Sequence, residues 1–147
     1  MKNAEALRDF YEDYCKKVEM TLDELYSKSR KRVLVEKRMV LMYTLRKSVG
    51  MTLHKIAKSL NKNHATIIHA VKSIENFIQV YPHIQRYYDY ADECLVTHRE
   101  HLIEYYRSPI LTEIERNRAL VDILIDSNDK LKSRVKKLKK QLDDGKN

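Results

Sequence analysis

The chain is 147 residues long, with 29 basic against 21 acidic side chains and a formal net charge of +8. That length supports one core with an appendage and excludes two full-size domains. Only Gly50, Gly145, Pro82 and Pro109 punctuate a sequence rich in Lys, Glu, Leu, Ile and Tyr, which excludes a turn-dense sheet protein and predicts an all-α chain of long helices.

The opening residues MKNAEALRDF carry charge from the start, and no later stretch runs uncharged for the length of a bilayer span. A soluble, intracellular protein is therefore expected. Cys15 and Cys94 have no CxxC spacing and no clustered His partners, so neither a metal site nor a disulfide framework is expected, and no cofactor. Charge is blocked along the chain. Residues 1–27 carry four basic against seven acidic side chains, 28–80 twelve against two, 81–129 five against ten, and 130–147 eight against two. Cation concentrated in two blocks favours a polyanionic partner over a merely solvated surface.

From Asn3 to Val18, residues Ala4, Leu7, Phe10, Tyr11, Tyr14 and Val18 recur at helical spacing and predict a helix with one apolar stripe. Thr21 followed by Glu24 is a capping box that starts a short helix through Leu22, Leu25 and Tyr26, leading into the basic run Ser27 to Arg32. A helix carrying Val33, Val35, Met39, Val40, Met42, Tyr43 and Leu45 is expected to end at Gly50. Thr52 then caps Leu53 to Leu60, Asn61-Lys62-Asn63 makes a turn from residues that tolerate left-handed backbone, and a helix from about His64 to Val80 turns Ile67, Ile68, Val71, Ile74, Phe77 and Ile78 inward. Two helices joined by a tight polar turn form the helix-turn-helix layout, here centred on Leu53 to Ile74.

Tyr81-Pro82 breaks that helix, and Ile84, Tyr87, Tyr88, Ala91, Leu95, His98 and Leu102 form the next stripe, read as core. Ser108-Pro109 supplies an N-cap and a proline at the first helical position. From Ile110 the seam positions alternate in steps of four and three: Ile114, Val121, Asn128, Val135 and Leu142 at a, with Ile110, Asn117, Leu124, Leu131 and Leu138 at d. β-Branched residues at a, Leu at d and an Asn at a suit two parallel strands, so a homodimer through Ile114, Val121, Leu124, Asn128, Leu131, Val135 and Leu138 is expected. Domains are accordingly placed at 1–107 and 108–147.

Residues 27–75, SKSRKRVLVEKRMVLMYTLRKSVGMTLHKIAKSLNKNHATIIHAVKSIE, complete the pattern. They resemble the C-terminal DNA-binding domain of the bacterial replication initiator DnaA. That family reads roughly MYLxRxL, then SLxxIG, then DHTTVxHAxxxI. Here Met42-Tyr43 with Arg46, Thr52-Leu53 with Ile56, and Asn63-His64-Ala65-Thr66-Ile67-Ile68-His69-Ala70 with Ile74 stand in the matching places. The opening helices match too, so the resemblance covers about residues 3–80.

The resemblance implies duplex DNA as the partner. It puts Arg30 into a minor groove, gives phosphate to Lys28, Lys31 and Arg32, and places Arg38 at DNA backbone or a base edge. It also implies that Asn63, His64 and Ala65 touch bases, with a bidentate Asn–adenine contact as the natural chemistry, while Thr66 and His69 touch phosphate. Lys55, Lys62 and Lys72 are the nearby cations. The sequence departs from the family at Asn63 for Asp and at Ala65 for Thr, and its turn is one residue short, so a different DNA site is expected. No GxxxxGK[ST] loop occurs in these residues, and adjacent carboxylates such as Glu12 and Asp13 or Asp143 and Asp144 diverge on a helix, so no ATP-driven or other catalysis is expected. The expected function is a regulator of transcription or replication in a bacterial or phage-infected cytoplasm, with a phage-type packaging adaptor or an oligomeric interaction protein as alternatives.

Overall fold

The computed structural model describes residues 2–107 and 109–145. Ser108, the expected N-cap of the last helix, and the side chain of Ile110 lie outside the described residues. Among the described residues seven α-helices occur in order: α1 Lys2–Lys17, α2 Leu22–Tyr26, α3 Arg32–Thr44, α4 Leu53–Leu60, α5 His64–Val80, α6 Pro82–Tyr106 and α7 Pro109–Gly145. No strand is present among the described residues. The chain divides into two compact units, Met1–Ser108 and Pro109–Asn147.

Local chemistry accounts for the helix ends. The Thr21 hydroxyl accepts from the Glu24 amide at 3.1 Å while the Glu24 carboxylate accepts from the Thr21 amide at 2.9 Å, a closed capping box. Those bonds hold the Glu24 carboxyl below its ordinary range. Helix α1 ends on Glu19 with φ 55, where the Met20 amide reaches back to the Cys15 carbonyl at 2.9 Å. Helix α3 does not run regularly to Gly50 as its periodicity predicts. From Leu45 to Val49 it widens into one π-helical turn, whose carbonyl at Leu45 accepts from both Gly50 and Met51. Gly50, at φ 82, takes the left-handed conformation that a side chain resists.

In the first unit, α3 is the shared partner. Residues Lys37 to Met42 are buried in succession, so this helix has no solvent face over nearly two turns. It packs against α5 and α6, and α6 in turn covers α1 and α5. Phe10, Tyr14, Leu25, Val40, Leu41, Leu45, Ile56, Leu60, Ile67, Ile74 and Ile84 are all fully buried. Val33, expected on the apolar side of α3, is exposed, because the first turn of that helix projects past the core. The Tyr-rich stripe of α6 packs as expected: Tyr87 and Tyr88 lie partly buried against the core, and Tyr88 meets Tyr43 edge-on at 5.7 Å. Two His–carboxylate contacts tie α6 down, His98 to Asp13 at 2.7 Å and His83 to Glu36 at 2.9 Å.

The second unit is a single 37-residue helix, about 55 Å long. Its side chains from 113 to 145 are exposed. A chain ending at Arg107 is expected to keep a single cooperative thermal transition, since every core side chain from Leu7 to Leu102 remains. Circular dichroism melts of the full and shortened chains check this, and a broad, non-cooperative melt of the shortened chain would contradict it.

Candidate nucleic-acid interface

The helix-turn-helix is set by three short-range devices. Thr52 caps α4 by accepting from the Lys55 amide at 3.2 Å. Asn61 ends α4 in the left-handed region, φ 53 and ψ 48, which Asn tolerates better than most residues. Asn63 then caps α5: its Oδ1 accepts from the Thr66 amide and from the Thr66 hydroxyl, both at 2.8 Å. Ile67, Ala70 and Ile74 anchor the inner face of α5 against the core. The opposite face leaves His64, Ala65, Thr66, His69 and Lys72 exposed together, one turn apart.

Beside this helix lies the basic loop, residues 28–31. Ser27 and Ser29 hydroxyls accept from the amides two residues on, each at 3.4 Å, giving the loop its turns. Two cations then fasten it. The Arg38 guanidinium, only 5% exposed, donates to the Glu24 carbonyl at 3.1 and 2.7 Å, to the Ser29 carbonyl at 2.6 Å and to the Ser27 hydroxyl at 2.7 Å. The Lys62 ammonium donates to the Ser27 carbonyl. Loop and turn thereby enclose a groove of about 400 Å³, lined among others by Lys28, Arg30, Met42, Asn61, Lys62 and Asn63.

The electrostatics of the groove are one-signed. Burial pushes the Lys62 ammonium below its ordinary range, and the neighbouring charges of Arg38 and Lys28 push it the same way. Burial likewise lowers Arg38, with Glu24 opposing. An anion in the groove relieves both effects.

Of the expected site residues, Lys28 and Arg30 of the loop share the groove with Thr66 of α5, while Lys31 on the loop and His64, Ala65, His69 and Lys72 on α5 are exposed. Lys55 is exposed on α4. Arg32 is exposed but holds Glu36 at 2.9 Å, so only part of its guanidinium is open to a phosphate. Three placements differ from expectation. Arg38 does not face solvent: its guanidinium donates to the Glu24 and Ser29 carbonyls and to the Ser27 hydroxyl. Lys62 is half-buried with its ammonium committed to the same loop. Asn63 has both oxygen lone pairs occupied by Thr66, so it offers only its amide donors and lacks the free acceptor a bidentate adenine contact requires. Asn61 lines the groove without having been singled out for the site; its left-handed cap position was the available signal.

Residues 12–74 match the family model for the bacterial dnaA protein helix-turn-helix. The chain is 32% identical over 78 residues to the chromosomal replication initiator protein DnaA of Bacteroides thetaiotaomicron, a match covering 52% of this chain and 17% of that protein. Against the same protein of Anaplasma marginale it is 42% identical over 59 residues, covering 40% of this chain and 12% of the relative. For the same protein of Wolbachia sp. subsp. Brugia malayi the figures are 44% over 57 residues, 38% and 12%. The chain therefore spans only a small part, 12–17%, of the length of these relatives.

The Arg38 geometry yields a test that separates holding the loop from touching a ligand. Arg38→Ala removes the guanidinium donor from the Ser29 carbonyl and leaves the Glu24 carbonyl to the Ser27 hydroxyl alone, and is expected to lower unfolding free energy by about 1–3 kcal/mol. Arg38→Lys is expected to recover little of it, since one ammonium does not span the same acceptors. Denaturant titration measures both, and trypsin should cut the loop at Arg30 or Lys31 faster in each variant. Wild-type stability in Arg38→Ala would refute the fastening role.

Proposed function

We propose, taking residues 12–74 as a helix-turn-helix of the bacterial DnaA type, that this chain is a sequence-specific double-stranded DNA-binding protein acting as a regulator of replication or transcription. One observation carries the reading: the exposed face at the start of α5 lies beside a loop of three exposed cations, and the two share a groove of uniform positive charge. Helix α5 enters a major groove with His64 and Ala65 foremost, while Arg30 follows the neighbouring minor groove, where narrow A·T-rich steps deepen the negative potential. Lys28, Lys31, Thr66, His69, Lys55 and Lys72 take phosphates. Asn63 contributes its amide donors to a phosphate or a purine acceptor. No catalytic step is assigned to these residues.

The chain is further proposed to act as a homodimer through α7. Ile114, Val121, Leu124, Leu131, Val135 and Leu138 form an exposed seam, between 40% and 67% accessible, with Asn128 at the central a position. Leu120 and Ile125 widen the strip on its g and e flanks. An apolar strip of this length is unstable in water as a lone helix and is satisfied by a second copy in a coiled coil. Pairing two heads on one duplex raises the effective concentration of the second.

Two outcomes test these readings. In fluorescence titrations against sites selected from random duplex, Arg30→Ala is expected to weaken binding and remove the influence of A·T-rich flanks, while Ala65→Thr changes the preferred base at one or two positions by about 1–3 kcal/mol. A preference profile identical to wild type in both variants would overturn the placement of the loop and of α5. For the dimer, Asn128→Val is expected to shift sedimentation from a dimer to mixed dimers and trimers, whereas Leu131→Pro gives a monomer. An unchanged mass in both would exclude α7 as the interface.

A further inference from the structure

The seam of α7 leaves its other faces unexplained. Between residues 130 and 140 the helix carries seven cations and no acid, all exposed. On a helix, side chains three and four apart are neighbours. Lys132–Lys136, Lys136–Lys140 and Arg134–Lys137 are therefore like-charged neighbours, and Arg134, Lys136 and Lys137 have no carboxylate three or four residues away on either side. Lys130 alone in this stretch has a described ion pair, with Asp126 at 3.1 Å.

Compensation of the helix dipole does not account for this arrangement. Cations favour the last turn of a helix, yet the last turn of α7 holds no basic residue and carries Asp143 and Asp144. Nor does solubility account for it, because the first half of the same helix mixes Glu113, Glu115, Arg116, Arg118 and Asp122. The cations surround the seam on every remaining side, so two coiled copies bring them closer still. Only a polyanion turns that repulsion into attraction.

We propose that residues 130–140 of α7 form a second DNA-contacting site, a basic sleeve that takes the phosphate backbone of the duplex without reading sequence. It rests on the duplex-binding function proposed above and extends it to a surface outside the matched residues 12–74. Eleven helical residues span about 16 Å. Over that length a duplex presents one phosphate charge per about 1.7 Å, enough to occupy every cation on one side of the helix. Salt affects such contacts directly, because each phosphate neutralised releases condensed counterions.

The test uses the full chain and a duplex containing its selected site. Lys136, Lys137 and Lys140 lie off the seam, so a triple Lys→Gln variant keeps the coil and a good helix former at each position. Affinity is measured across a salt series. The slope of log affinity against log salt is expected to become shallower by about 0.9 for each contact removed, or about 2–3 in all, with the order of preferred sequences unchanged. The corresponding triple Lys→Arg variant is expected to keep the wild-type slope, which shows that charge and not folding is responsible. A wild-type slope in the Gln variant overturns the sleeve while leaving the helix-turn-helix reading intact. Failure of the wild-type chain to bind any duplex overturns both. Binding of the wild type to phosphatidylserine vesicles, lost in the Gln variant while its duplex slope is unchanged, overturns the sleeve in favour of a membrane surface.

Discussion

Two cations in the enclosed turns of α3 are the constraint around which the first unit is organised. Lys37 and Arg38 sit where α3 becomes wholly enclosed, and a charge taken from water must find partners or be expelled. Arg38 finds backbone and hydroxyl oxygens from α2 and the loop that follows it. Lys37 donates to the Glu19 carbonyl at 3.4 Å and lies near the Tyr87 ring. Each bond that keeps these charges satisfied also fixes the course of a neighbouring segment. The loop of exposed cations is thus tied to the core by a buried one.

That arrangement fastens the loop of the candidate interface to the core. Loop and turn are both positive, and left alone they repel. Lys62 bridges them by donating to the loop carbonyl at Ser27, so the segments are held at close quarters by hydrogen bonds in spite of their charge. The result is a positively charged groove in which folding already holds the like-charged loop and turn together.

The second unit follows a different logic. Helix α7 has almost no side chain hidden within its own chain, and its sequence separates an apolar strip from a basic sleeve. Both features are unfavourable for a lone helix in water: an apolar strip exposed to solvent and like charges held close together. The acidic first half of α7 lacks the sleeve, which restricts the charge to the distal heptads.

Much of this was legible from the sequence alone. Periods of three and four placed the helices, Thr21 and Glu24 announced their capping box, Gly50 and Asn61 marked left-handed stops, and the run from Asn63 to Ala70 with its flanking cations pointed to the helix-turn-helix later matched over residues 12–74. Those features are local: each depends on residues within a turn or two of one another, so their spacing carries the information. What the sequence could not decide was which cation faces out. Arg30 in the basic run and Arg38 in the helix after it look alike as letters, yet one is exposed and the other is spent on carbonyls fourteen and nine residues away. Asn63 likewise reads as a bidentate donor and acceptor until the Thr66 amide and hydroxyl are seen on its oxygen, which leaves only its amide donors. The π-helical turn at Leu45 to Val49 also left no periodic trace, because it answers to the packing of the enclosed helix. A donor's availability is set by everything folded around it, and only the tertiary structure brings those partners within reach.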